Sequence, residues 1–96
     1  MEVVWSKSSI NELQKIYKHI AKDSALNAER VINTLVDLTM ELADNPAKYP
    51  LDKFKTGNNG SWRAFEKYNY RISYRVASDQ IRIVRLRHTK RSPLKY

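Results

Sequence analysis

The chain has 96 residues, 42% hydrophobic and 29% charged with only two Gly and three Pro, a composition that fits one folded domain and excludes disordered and fibrous classes. It has no Cys and two distant His, which excludes a disulfide framework and leaves no set of ligands for structural zinc or an iron–sulfur cluster, so neither a metal nor a small-molecule cofactor is expected. The net charge of +8 points to an anionic or acidic partner.

Glu2-Val3-Val4-Trp5 reads as a short β-strand. It stops at Ser6-Lys7-Ser8-Ser9, where Ser9 and Glu12 have the spacing of a capping box. Ile10, Leu13, Ile16, Tyr17 and Ile20 recur at three- and four-residue intervals, which predicts an amphipathic helix to about Lys22. Asp23-Ser24 offers a new cap. Ala28, Val31, Leu35, Leu38 and Leu42 mark a second, longer helix that ends at Asp44-Asn45, before Pro46. The short connection predicts an antiparallel helical hairpin.

From Ala47 to Gly60 the chain is polar and reads as a mobile loop in which Phe54 alone could act as an anchor. From Trp62 the period becomes two: Tyr70, Ile72, Tyr74 and Val76 face one way, Arg71, Ser73 and Arg75 the other. Ser78-Asp79-Gln80 is a hairpin signal, and Ile81 to His88 is the returning strand. Ile81 and Ile83 are out of step with Val84 and Leu86, which predicts either a bulge or burial on both faces. The expected order is β-α-α-β-β-β, an α+β domain in which a helical hairpin packs on one face of a small twisted antiparallel sheet, with the first strand at an edge or in the centre.

The excess charge is segregated. Residues 1–60 hold eight basic and eight acidic side chains, whereas residues 61–96 hold ten basic against Glu66 and Asp79 alone. Arg71, Arg75, Arg85, Arg87 and Lys95 are therefore candidates for binding a partner or a nucleic acid, because the guanidinium fork suits phosphate and carboxylate. Arg63, His88, Lys90, Arg91 and Tyr96 are candidates for metal-independent RNA cleavage, which requires a proton acceptor, a proton donor and cations on the phosphate. Tyr70 and Tyr74 read as core, and His19 as a surface residue. The start of the chain lacks the pattern of a signal peptide, and no apolar run approaches the roughly 20 residues of a membrane helix, so a cytoplasmic protein with no membrane partner is expected.

Asn69-Tyr70-Arg71-Ile72-Ser73-Tyr74-Arg75-Val76 resembles the strand of RelE/ParE superfamily toxins, commonly a Tyr-Arg-Ile-x-Tyr-x-Val pattern. Ile81 to Arg91 is similar to that family's last strand and basic tail, and Leu42-Ala43-Asp44-Asn45-Pro46 to the end of its second helix. The resemblance spans nearly the whole chain. It implies the growth-arresting half of a bacterial type II toxin–antitoxin module, blocked by a cognate antitoxin. It implies two classes of target: RelE-like members cut messenger RNA on the ribosome, and ParE-like members poison DNA gyrase without catalysis. Tyr96 falls on a catalytic Tyr of the RelE-like ribonucleases, and Lys90, with Arg91 beside it, on a catalytic Arg. That favours cleavage as the first expectation. Glu66 stands where those enzymes carry Arg, with Arg63 and Lys67 as imperfect substitutes, and the spacing of His88 and Arg91 resembles a ParE-like tail. Gyrase inhibition, or a degenerate binding module without toxicity, are the alternatives.

Overall fold

A computed structural model describes residues 1–91 and 95–96. Strand β1 (Glu2–Trp5) leads into helix α1 (Lys7–Ala21) and helix α2 (Ala25–Met40), which tightens into a 3-10 turn at Glu41–Ala43. Strands β2 (Trp62–Lys67), β3 (Tyr70–Val76) and β4 (Gln80–His88) follow. The sheet order is β1-β4-β3-β2, with β2, β3 and β4 antiparallel neighbours and β1 parallel to β4 at one edge. The α+β architecture and element order are as the sequence predicts, except that the sheet is mixed. No helix among the described residues is long and apolar enough to cross a membrane.

The parallel edge has a local cause. The N–H of Ser6 donates to Ile83 O at 2.9 Å, and Ser9 Oγ donates to the same carbonyl at 3.1 Å, so the chain turns off the sheet into α1 within one residue. The helix cap is therefore Ser6, whose Oγ accepts from the Ser9 N–H. Ser9 sits buried in the first turn, and the expected Ser9–Glu12 box is not the cap. Ser24 caps α2 by accepting from the Asn27 N–H, as expected.

The core lies between the helices and one sheet face. Leu35, Leu42, Ile72, Tyr74, Ile81 and Ile83 are fully buried there, joined by Ile16, Phe65, Tyr70 and Leu86. Tyr74 keeps its hydroxyl satisfied by donating to Pro46 O at 2.9 Å. Tyr68 and Asn69, both at positive φ, form the tight β2–β3 turn, a geometry in which Asn is at ease and Tyr is rare.

The out-of-step strand resolves as a bulge. Ser73 pairs with Arg85 and Tyr74 with Ile83, so Val84 is the extra residue. Before it Ile81 and Ile83 face the helices; after it Leu86 and His88 do.

Candidate functional site

The bulge decides the electrostatics of the other face. Across β3 and β4 the register opposes Arg71 to Arg87, Ser73 to Arg85 and Arg75 to Arg82. Residues directly opposite share a face, so Arg71, Arg75, Arg82, Arg85 and Arg87 form one basic surface away from the helices. Without the extra residue Val84, Arg85 and Arg87 would point into the core. β2 adds Trp62, Ala64 and Glu66 to the same surface through their pairing with Arg75, Ser73 and Arg71.

That surface carries a second, thin layer. The stretch expected to be a mobile loop is instead fastened to β2 and folded over the sheet. Leu51 bridges Arg63, with the Asp52 N–H donating to Trp62 O and the Ala64 N–H to Pro50 O. Asn58 ties the following turn down through Trp62 O. Asp52 thereby lies buried among cations. Its carboxylate accepts from Arg71 Nη2 at 2.9 Å, from the Phe54 N–H at 3.0 Å and from the Tyr96 phenol. Burial alone would raise the Asp52 pKa, but the bonds from Tyr96, Arg71 and Phe54 outweigh it and hold it below the usual carboxylate value.

Tyr96 is held on both sides of its Cα. Its N–H donates to Phe54 O at 3.0 Å and its O accepts from the Thr56 N–H. Its ring lies beneath the Arg85 guanidinium, 4.6 Å from the centroid, and meets Trp62 edge-on at 5.8 Å. Burial, and then the bond to Asp52, push the phenol pKa up to about 12. A cavity of about 20 Å³ remains between Asp52, Arg71, Ser73, Arg85 and Tyr96, large enough for one water.

The other candidate residues divide. Arg63 pairs with Tyr74 and so shares the helix side of the sheet, where its Nη1 donates to Tyr49 O at 2.6 Å; it does not reach Tyr96. His88 also belongs to the helix side, edge-on to Tyr70 at 5.1 Å, and its Nδ1 accepts from the Lys90 N–H at 3.0 Å. The expected cleavage group of Arg63, His88, Lys90, Arg91 and Tyr96 is therefore not gathered at one point. Lys90, Arg91 and Lys95 are exposed. Ser92 and Pro93 of the tail motif lie outside the described residues. Glu66, which stands where a cation was expected, binds Arg71 Nη1 at 3.1 Å. Sequence reasoning missed Asp52, Lys55 and Trp62 as parts of this surface; the available signal was Phe54, which with Tyr49 and Leu51 interrupts an otherwise polar stretch. Among the described residues no group of His, Cys, Asp or Glu could hold a metal ion.

Residues 3–93 match the family described as the ParE toxin of type II toxin–antitoxin systems, parDE. The chain belongs to the ParE toxin family. It is thus a type II toxin by family, and membership implies a cognate antitoxin. The fold has the same relatives: a chain from the chromosomal ParDE toxin–antitoxin system of P. aeruginosa, with TM-score 0.73 and 17% identity over 94% of this chain and 97% of that one. The YoeB dimer of Staphylococcus aureus is also similar, with TM-score 0.56 and 16% identity over 88% and 92% of the two chains. No curated protein matches by sequence. The fold of ParE toxins is therefore shared with YoeB, and fold alone does not choose between their modes of action.

Proposed function

We propose that this chain arrests growth by binding a protein target, with DNA gyrase as that target, and that its arginine face is the surface an antitoxin covers. The observation that carries this reading is the Tyr96 phenol buried on the Asp52 carboxylate. Its proton is committed to Asp52, and a phenol with a pKa of about 12 is a weak proton donor near neutral pH. His88 offers no substitute base. With Nδ1 accepting from the Lys90 N–H, the neutral ring carries its proton on Nε2 and presents a donor. Arg63, on the opposite side of the sheet, has no path to a phosphate near Tyr96. RNA cleavage, the alternative that the tail resemblance favours, requires Tyr96 to leave Asp52 and Arg63 to have no part in the reaction.

The test is controlled expression of the wild-type chain beside Tyr96→Phe and Arg91→Ala at matched protein levels, with growth, transcript integrity and the DNA-damage response scored together. Growth arrest with intact transcripts and an induced damage response is expected, and Tyr96→Phe retains it. Transcript loss that both substitutions abolish overturns this reading in favour of the ribonuclease. Unimpaired growth leaves the non-toxic binding module.

A further inference from the structure

On the helix side of the sheet, away from the arginine face, two cavities of about 400 and 460 Å³ meet at His19, Tyr70 and His88. The chain's two histidines, far apart in the sequence, are brought together there by α1 and the end of β4. Tyr70 marks the place as a site. It is 8% exposed and lines both cavities, yet its hydroxyl bonds to no described residue, and burial pushes its pKa up with no bond to offset the shift. Tyr74 and Tyr96, by contrast, give their hydroxyl protons to Pro46 O and to the Asp52 carboxylate. A buried hydroxyl without an acceptor requires one from outside the chain. His88 is a second donor, because its Nδ1 accepts from the Lys90 N–H and the neutral ring then carries its proton on Nε2.

The charge around these donors selects an anion. Glu12 is the one carboxylate among the described residues of either wall, and Lys15 holds it at 3.3 Å. Arg91 in one wall and Arg30 in the other are exposed. Arg87 also lines the first cavity, but it already has a partner and is not one of the ligands. The donors come from α1, β3 and the end of β4, so they approach from three sides. That suits the tetrahedral oxygens of a phosphate better than a carboxylate, whose acceptors lie in one plane. The wider cavity adds the apolar walls of Ile20 and Val31 with the amides of Asn27 and Asn69, room and polarity for a sugar and a base. Tyr68 stands at its rim, 47% exposed and at φ 54°, a strained setting for Tyr. The Thr89 N–H, donating to Asn69 O at 2.7 Å, fastens that turn to the end of β4. Lys67 Nζ lies over one face of the Tyr68 ring, 4.8 Å from the centroid, which leaves the other face for a stacked base. We propose that this groove binds a nucleoside monophosphate, its phosphate received by His19, Tyr70, His88 and Arg91 and its base laid on Tyr68. The site is separate from the arginine face and does not depend on which target the toxin has.

Isothermal titration calorimetry of the purified chain with adenosine 5′-monophosphate tests the proposal, beside ribose 5-phosphate, which lacks the base, and adenosine, which lacks the phosphate. The nucleotide is expected to bind about tenfold more tightly than either fragment. Tyr70→Phe is expected to weaken it about fivefold without lowering the melting temperature, because the hydroxyl it removes has no bond within the described chain. Arg91→Gln is expected to weaken it by a similar factor. Lys18→Gln, on α1 but outside both cavities, serves as the control for net charge. Equal losses from Lys18→Gln and Arg91→Gln, or a fragment that binds as tightly as the nucleotide, overturn the proposal. So does a 5′-phosphorylated octauridylate that displaces the nucleotide at lower concentration, since the groove then belongs to the end of a nucleic acid. Ring-proton shifts of His19 and His88 during a titration of the wild type locate the ligand without any substitution, and unmoved shifts at both also overturn the assignment. None of these results alters the growth, transcript and damage readouts, which test the gyrase reading separately.

Discussion

Asp52 is the residue on which the arginine face depends. A buried carboxylate holding an Arg, a main-chain N–H and a phenol is stable only while every donor remains. Tyr96→Phe removes one donor and is expected to lower unfolding free energy by about 1–3 kcal/mol, read by urea denaturation. The pH dependence has two limbs with opposite causes. Because the Asp52 pKa is depressed in the folded state, its contribution is present above the ordinary carboxylate range of about 3.9 and is lost as pH falls below it. Tyr96 is raised instead. Its contribution is complete below about pH 10, the ordinary phenol value, and is lost as pH rises toward about 12. Burial also raises the phenols of Tyr70 and Tyr74, so absorbance of tyrosinate near the alkaline limit should report several late phenols of which Tyr96→Phe deletes one, while Asp52→Asn flattens the acid limb of stability against pH.

At the level of elements, β4 is the part that both halves of the molecule need. Its residues before Val84 place Ile81 and Ile83 in the core and Arg82 outside; its residues after Val84 do the same for Leu86 against Arg85 and Arg87. A bulge is the only local device that preserves both alternations across a change of phase. Deletion of Val84 is expected to abolish folding, since it drives two guanidinium groups toward the helices. Far-UV circular dichroism and thermal melting check this. Val84→Ala, which keeps the extra residue, is expected to melt within a few degrees of wild type. The α1 cap belongs to the same junction, because Ser6 and Ser9 are fastened to Ile83 O next to the bulge.

At the scale of the whole molecule, the charge is arranged so that stability and docking oppose each other. The formal excess of +8 falls in the strands and tail, and the sheet collects five arginines on one face of a body 40 × 29 × 21 Å across. Such a face steers acidic partners toward it and loses that advantage as salt rises. Arg82→Gln, exposed and opposite Arg75, is accordingly expected to stabilise the fold by about 0.2–1 kcal/mol. The same substitution should slow association with an antitoxin at low ionic strength, and stopped-flow association rates measured against salt check that second half. A variant that is both less stable and faster to bind would contradict the arrangement.

Helix positions, strand order along the chain and the identity of the core residues follow from periods of 3.6 and 2 and from the cap at Ser24, which are local properties that each segment carries within itself. The segregation of charge is likewise written in the chain. Register is not local: which of Arg82, Arg85 and Arg87 faces outward depends on where one extra residue sits opposite Ser73 and Tyr74, and only the paired strand decides that. Tertiary structure also decided that Asp52 is buried, that Arg63 stands on the far side of the sheet from Tyr96, and that a polar stretch from residue 47 to residue 60 becomes a second layer. These are outcomes of contact between segments 19 to 44 residues apart, and a hydrogen bond of that reach leaves no mark on the composition of either segment.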